Sequence, residues 1–144
     1  MDTDMRCSMK KIITYDSEIK MAYLYVIPFT SEIEVESTEE LEENPKLNLD
    51  IDQFDRIVGI EFFGENADKL KELTNRSKIY KKKASNDNAY IYSFRVSQDN
   101  YLQQVLFHNI VFYFSDKKYE EFIGFDIIKP SLYGHEILDS LSEC

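Results

Sequence analysis

Four carboxylates, Asp50, Asp52, Asp55 and Glu61, fall within twelve positions of one another. Oxygen ligands gathered in this way at a turn are the right chemistry for a hard divalent cation. The segment nevertheless lacks the glycine and the distal glutamate of an EF-hand loop. Leu47, Leu49 and Ile51 alternate with Asn48, Asp50 and Asp52, the pattern of a half-buried strand with a solvated side. A solvated strand face is therefore the stronger reading, and no metal or other cofactor is expected. A carboxylate-plus-lysine nuclease centre would want a lysine two residues after an acid on a central strand, where positions 63 and 128 carry Phe and Ile. Nucleophilic catalysis has as little to work with. His108 sits inside "VLFHNIVFYF" and reads as a core histidine, His135 belongs to a terminal helix, and Cys7 and Cys144 have no base near them in sequence. Four glycines leave little room for a phosphate-cradling loop. No catalytic residue is expected, and the chain is not expected to be an enzyme.

The charge pattern says more. Residues 1–75 hold 18 acidic and 8 basic side chains, a net charge of −10, whereas residues 76–144 hold 9 of each. Seven of the acids, Glu32, Glu34, Glu36, Glu39, Glu40, Glu42 and Glu43, crowd the twelve positions of "EIEVESTEELEE". Their mutual repulsion destabilises the compact state. A solvated loop that aids solubility is the ordinary reading of such a run. The sharper one is a recognition face, because an acidic patch attracts a basic protein and rejects other anions. Nucleic acid is such an anion, so direct binding to it is not expected. A small basic cluster of Arg76, Lys78, Lys81, Lys82 and Lys83 runs against the trend.

The elements that must carry these residues are mostly strands. The octet "RIVGIEFF" at 56–63 returns as "EFIGFDII", with Gly59 matching Gly124 and Glu61 matching Asp126 at an offset of 65. "AYLY" at 22–25 is answered by "AYIY" at 89–92 at an offset of 67, which puts Tyr23 and Tyr25 on the parity of Tyr90 and Tyr92; such an aromatic face reads as core or inter-repeat packing rather than as a ligand-stacking surface. Runs rich in Ile, Val, Tyr and Phe predict strands near 11–15, 22–29, 31–36, 46–52 and 56–63. In the second half they predict 78–83, 89–96, 101–114 and 121–128, the third with a bend near His108 and Asn109. Polar clusters at 85–88, 97–100 and 115–118 supply turns. Gly59 and Gly124 mark a bulge or close backbone packing. Helix-like segments follow each glycine strand, 66–75 with Asn66 as N-cap and 130–141 with Pro130 in the first turn. The expected fold is α+β and mostly β: two tandem β-meander-plus-helix repeats, 9–75 and 76–144, related by pseudo-symmetry. They would share one core, either as a sandwich or as a continuous sheet.

The series "ITYDSEIKMAYLYV", "LNLDID" and "RIVGIEFF" resembles a widespread small bacterial domain family of unknown function, whose pattern runs Tyr-Asp, Ala-Leu-Tyr-Ile, Asp-x-Asp, Gly-Ile-Glu. The resemblance covers residues 11–64, with a more diverged second copy over 78–128. It implies the fold class and a bacterial or phage origin, and it implies no activity.

The N-terminus lacks the apolar stretch of a secretory signal and no run is long enough to cross a bilayer, so a cytoplasmic protein without membrane contact is expected. Two cysteines at opposite ends read as reduced thiols, with a bridge between the termini as the alternative. Toxins that cut nucleic acid are basic so as to bind phosphate, and a blocking protein can present carboxylates in its place. The expected function is thus a non-enzymatic acidic binding protein, an immunity or antitoxin-type inhibitor of a basic, nuclease-like toxin. The seven glutamates together with Asp50, Asp52 and Asp55 would form its interface. The alternative is a structural or assembly module that self-associates through its sheets.

Overall fold

The structure, a computed structural model, describes residues 11–85 and 89–143; Cys7 and Cys144, and so the alternative of a bridge between them, lie outside that range. Ten strands build two antiparallel five-stranded sheets. The first holds β1 (Ile13–Asp16), β2 (Met21–Tyr25), β3 (Val35–Leu41), β4 (Asn44–Asp52) and β5 (Ile57–Phe63). The second holds β6 (Lys81–Ala84), β7 (Tyr90–Arg95), β8 (Gln103–Phe107), β9 (Ile110–Phe114) and β10 (Phe122–Ile127). A short helix follows each: α1 (Glu65–Leu70), continued by a 3₁₀ turn at Lys71–Leu73, and α2 (His135–Ser140), preceded by a 3₁₀ turn at Pro130–Leu132.

Neither sheet is the simple meander that the sequence suggests. The strand order is β1-β2-β5-β4-β3 in one and β6-β7-β10-β9-β8 in the other, so the last strand of each half inserts between two hairpins. The two inserted strands are the most buried ones, and β10 is buried along its whole length. A central position pairs both of their edges, while charged strands such as β3 and β6 are left at the rims, where charge discourages unwanted strand pairing.

Three sequence expectations are displaced. The strand foreseen at 31–36 forms instead at Val35–Leu41, since pairing with β4 places the glutamates on an edge where their side chains stay in water. The single element foreseen at 101–114 is two strands, and the bend foreseen near His108 and Asn109 is the turn that joins them, with φ of 49° and 69°. Two consecutive left-handed residues are what a two-residue turn between twisted strands requires, so His108 is a turn residue and not part of the core. Asn66 is not the N-cap of α1, a position held by Gly64. Buried instead, it bridges the halves by donating to the Glu120 carbonyl at 3.0 Å and accepting from the Phe122 amide at 3.2 Å.

The ladders also reset the alignment of the Tyr pairs. Tyr25 faces Gly59 on β5, and Arg95 faces Gly124 on β10, so the second strand of each half corresponds at an offset of 70 and not 67. The difference of three is odd, and an odd slip carries every side chain to the other face of a strand. Tyr23 and Tyr25 therefore lie on the outer face of their sheet. Tyr92 points inward against Tyr80, with ring centroids 6.4 Å apart, and Tyr90 is an exposed neighbour of Lys82. The four tyrosines do not form one aromatic face.

Between the sheets lies one shared core, which answers the question of sandwich or continuous sheet in favour of the former. Leu24, Leu47, Leu49, Ile60 and Phe62 of the first sheet cluster with Phe112, Phe114, Phe122, Phe125 and Ile127 of the second, and Phe62 meets Phe122 at a centroid distance of 5.1 Å. Two buried phenols sew the layers together: Tyr80 donates to the Val26 carbonyl and Tyr133 to the Ile57 carbonyl, each at 2.7 Å.

Candidate functional site

The outer face of the first sheet collects the polar residues that the sequence singled out. Glu40, Asn48, Glu61 and Tyr23 stand in register across β3, β4, β5 and β2, and Thr38, Asp50, Gly59 and Tyr25 form the next row. Gly59 makes the arrangement possible. A Cβ there would lie 1.7 Å from the Tyr23 phenol oxygen, so the ring crosses the space that any other side chain would fill. The hydroxyl then reaches Asp50 and donates to Oδ2 at 2.6 Å, while Thr38 donates to Oδ1 at 2.6 Å. Both oxygens of Asp50 are thus satisfied, and the carboxylate ties strands β2, β3 and β4 into one surface. Burial, and next the hydrogen bond to Asp50, push the Tyr23 phenol well above its ordinary range. Burial, and then the Asp50 charge, raise the Glu61 carboxyl. Tyr23, Tyr25 and Phe29 stack edge to face beside this row, with Tyr25 4.8 Å from Tyr23 and 4.9 Å from Phe29.

The glutamate run surrounds this face on one side. Glu36, Glu39 and Glu40 lie on edge strand β3, Glu32 and Glu34 lead into it, and Glu42 and Glu43 form the turn to β4; all seven are exposed. Gln53 fastens the approach by donating to the Glu32 carbonyl at 2.7 Å and accepting from the Glu34 amide at 3.0 Å.

The three aspartates separate. Asp50 belongs to the outer face. Asp52 is 2% exposed and cannot meet a partner there: it accepts the amides of Phe54 and Arg56 and a guanidinium contact from Arg56 at 2.7 Å, closing the β4–β5 turn. Asp55, in the left-handed region at φ 64°, turns to the second sheet and lies 3.2 Å from His108 Nδ1. Asp50, Asp52, Asp55 and Glu61 therefore do not converge, and among the described residues no three acidic, His or Cys side chains are placed to hold one ion.

The second sheet carries a counterpart that the sequence reading passed over. Asp126, which aligns with Glu61 in the two similar octets, accepts from Ser93 at 2.6 Å, Tyr113 at 2.8 Å and Arg95 at 2.9 Å. Gly124 again leaves the room, since a Cβ there would lie 2.2 Å from the Phe94 carbonyl and 2.6 Å from Arg95 Cδ. Burial, and then the bond to Asp126, push the Tyr113 phenol up. The glycine-plus-acid pattern was the available signal; the partner side chains come from strands whose register only the ladders define.

No helix among the described residues is long and apolar enough to cross a membrane. The fold and its face thus define a two-sheet, mostly β protein with a carboxylate-rich outer surface on the first sheet. Residues 12–65, which span that sheet, match a family described as protein of unknown function (DUF2283). The chain is 37% identical over 134 residues to the uncharacterized protein YuzE of Bacillus subtilis (strain 168), covering 92% of this chain and 98% of that protein, and belongs to the same family. No solved structure matches it.

Proposed function

We propose that the chain is a non-enzymatic acidic binding protein that engages a basic protein through edge strand β3 and the outer face of the first sheet. The partner that best suits this chemistry is a basic, nuclease-like toxin, which would make the chain an immunity or antitoxin-type inhibitor. One observation carries the reading: among the described residues none of the seven glutamates from Glu32 to Glu43 forms an ion pair, although other carboxylates pair with Lys20, Arg56, Lys69, Arg76, Lys82 and Arg95. A concentration of unneutralised charge on a strand with free main-chain edges offers a cationic partner both electrostatic steering and strand addition. Tyr23, Tyr25 and Phe29 supply the aromatic anchors that binding hot spots favour. Asp52 has no part in it, and Asp55 contributes only from the adjoining turn.

The test is a pull-down and titration against basic nuclease domains with the wild type and with the triple variant Glu36→Gln, Glu39→Gln, Glu40→Gln. Neutralising three interface charges is expected to weaken binding at least about tenfold, chiefly through the association rate, with a flatter salt dependence. A wild-type protein that binds no basic domain and protects no cell ends the proposal.

A second reading rests on a different edge. β8 carries no charge, and Leu106, 63% exposed, stands beside exposed Leu102 and Tyr101. An uncharged apolar edge is a template for self-association, and sedimentation showing a concentration-independent monomer removes it. We also propose that the two halves are diverged copies of one unit. The support is the shared strand order, together with a bulge at the same place in each: the ladder skips Val58 opposite Asp50 and Ile51, and skips Ile123 opposite Tyr113 and Phe114.

A further inference from the structure

The basic cluster at 76–83 is divided by strand parity. Lys82 points inward, 3.1 Å from Asp139, and Lys78 donates to the Ser140 carbonyl at 2.8 Å. Lys81 and Lys83 point the other way, onto the outer face of the second sheet, where Lys81 stands opposite Ser93. They border a cavity of about 490 Å³ together with Arg76, Ser93, Arg95 and Gln98, with half-buried Leu73 at its margin. Among the described residues neither Lys81 nor Lys83 forms an ion pair. Arg76 is held only at 4.0 Å by Glu143, a half-exposed carboxylate that a stronger anion can displace. Arg95 is fixed in place by Asp126 and the carbonyls of Phe94 and Phe125 and lies over the Tyr113 ring. Four cations around one concavity, against a single lining carboxylate, is the reverse of the balance in a chain of net charge −10.

We propose that this cavity binds a small phosphate-bearing molecule of nucleotide size. The volume lies within the range of small-ligand sites, and the lining is mainly polar and cationic, as an anionic ligand requires. Lys81, Lys83 and Arg76 take the phosphate oxygens, lysine as a point charge and arginine as a fork. Ser93 and Arg95, both committed to Asp126, shape the wall. The site lies on the sheet opposite the glutamate-rich face and does not depend on the role of that face.

Isothermal titration of the full chain with ADP, AMP, inorganic phosphate and uncharged adenosine tests this. ADP is expected to bind saturably and more tightly at low salt, adenosine not at all, and phosphate at least about tenfold more weakly than ADP because a single phosphate reaches fewer of the cations than a diphosphate does. The variant Lys81→Ala, Lys83→Ala removes two surface charges and should keep the thermal midpoint of the wild type while losing at least about tenfold in ADP affinity. Absence of saturable ADP binding overturns the proposal, as does ADP binding that the double variant leaves unchanged. Phosphate binding as tightly as ADP overturns the nucleotide-sized ligand.

Discussion

Tyr80 offers the most direct test of how the two sheets are held together. Its ring is fully buried, and its hydroxyl spans the layers to the Val26 carbonyl at 2.7 Å. Replacing Tyr80 by Phe keeps the ring and removes one hydrogen bond. The loss has two parts, the net worth of the bond and the desolvation of a carbonyl left without its phenol partner. Together they amount to about 2 kcal/mol. For a chain of this size that corresponds to a fall in Tm of about 4–8 °C. Urea unfolding should give the same loss with an unchanged m value, because the surface exposed on unfolding does not alter.

The variant also changes the alkaline limb. Burial raises the Tyr80 phenol well above its ordinary value, with the neighbouring Tyr133 adding to the effect. A raised folded value means that the folded state holds the proton more tightly. The contribution is therefore fully present below the unfolded value, near pH 10, and is lost as pH climbs from there towards the folded one. Tyr80→Phe should thus be less stable than the wild type at pH 7, with a shallower decline above about pH 10. Phenolate absorbance followed alongside unfolding separates ionisation from denaturation. A loss under about 0.5 kcal/mol at neutral pH, or an alkaline decline as steep as that of the wild type, would refute the argument that this bond seats the sheets.

Other perturbations give equally definite outcomes. Asp52→Ala strands Arg56 in a largely buried position, and chemical denaturation should show a loss of about 3 kcal/mol. Gly124→Ala drives a Cβ into the Phe94 carbonyl, a backbone atom that cannot swing aside, and should cost at least about 3 kcal/mol by urea unfolding. At Gly59 the obstruction is the movable end of Tyr23, so Gly59→Ala should be milder and Tyr23→Ala should relieve it, an interaction that a double-mutant cycle measures. Glu61→Gln should stabilise the protein at neutral pH, because burial and Asp50 raise the Glu61 carboxyl and its ionisation opposes folding. The gain should vanish in thermal scans below about pH 4, where both states are protonated.

Much of this architecture is written locally. Period-two alternation from Leu47 to Ile51, the polar turns at 97–100 and 115–118, and the glycine octets at 56–63 and 121–128 announce strands and their ends, because side-chain periodicity and turn chemistry act between near neighbours. The sum of charge and its confinement to the first half are likewise properties of the chain as such. The tertiary structure decided which face each side chain serves. Pairing at an offset of 70 turned Tyr92 inward while Tyr23 stayed out. Closure of the β4–β5 turn on Arg56 buried Asp52 and left Asp50 on the surface, and β3 made an edge of what composition alone reads as a loop. Such outcomes depend on strand partners far away in sequence, where a slip of one residue costs little in any local propensity and reverses the whole face of a strand.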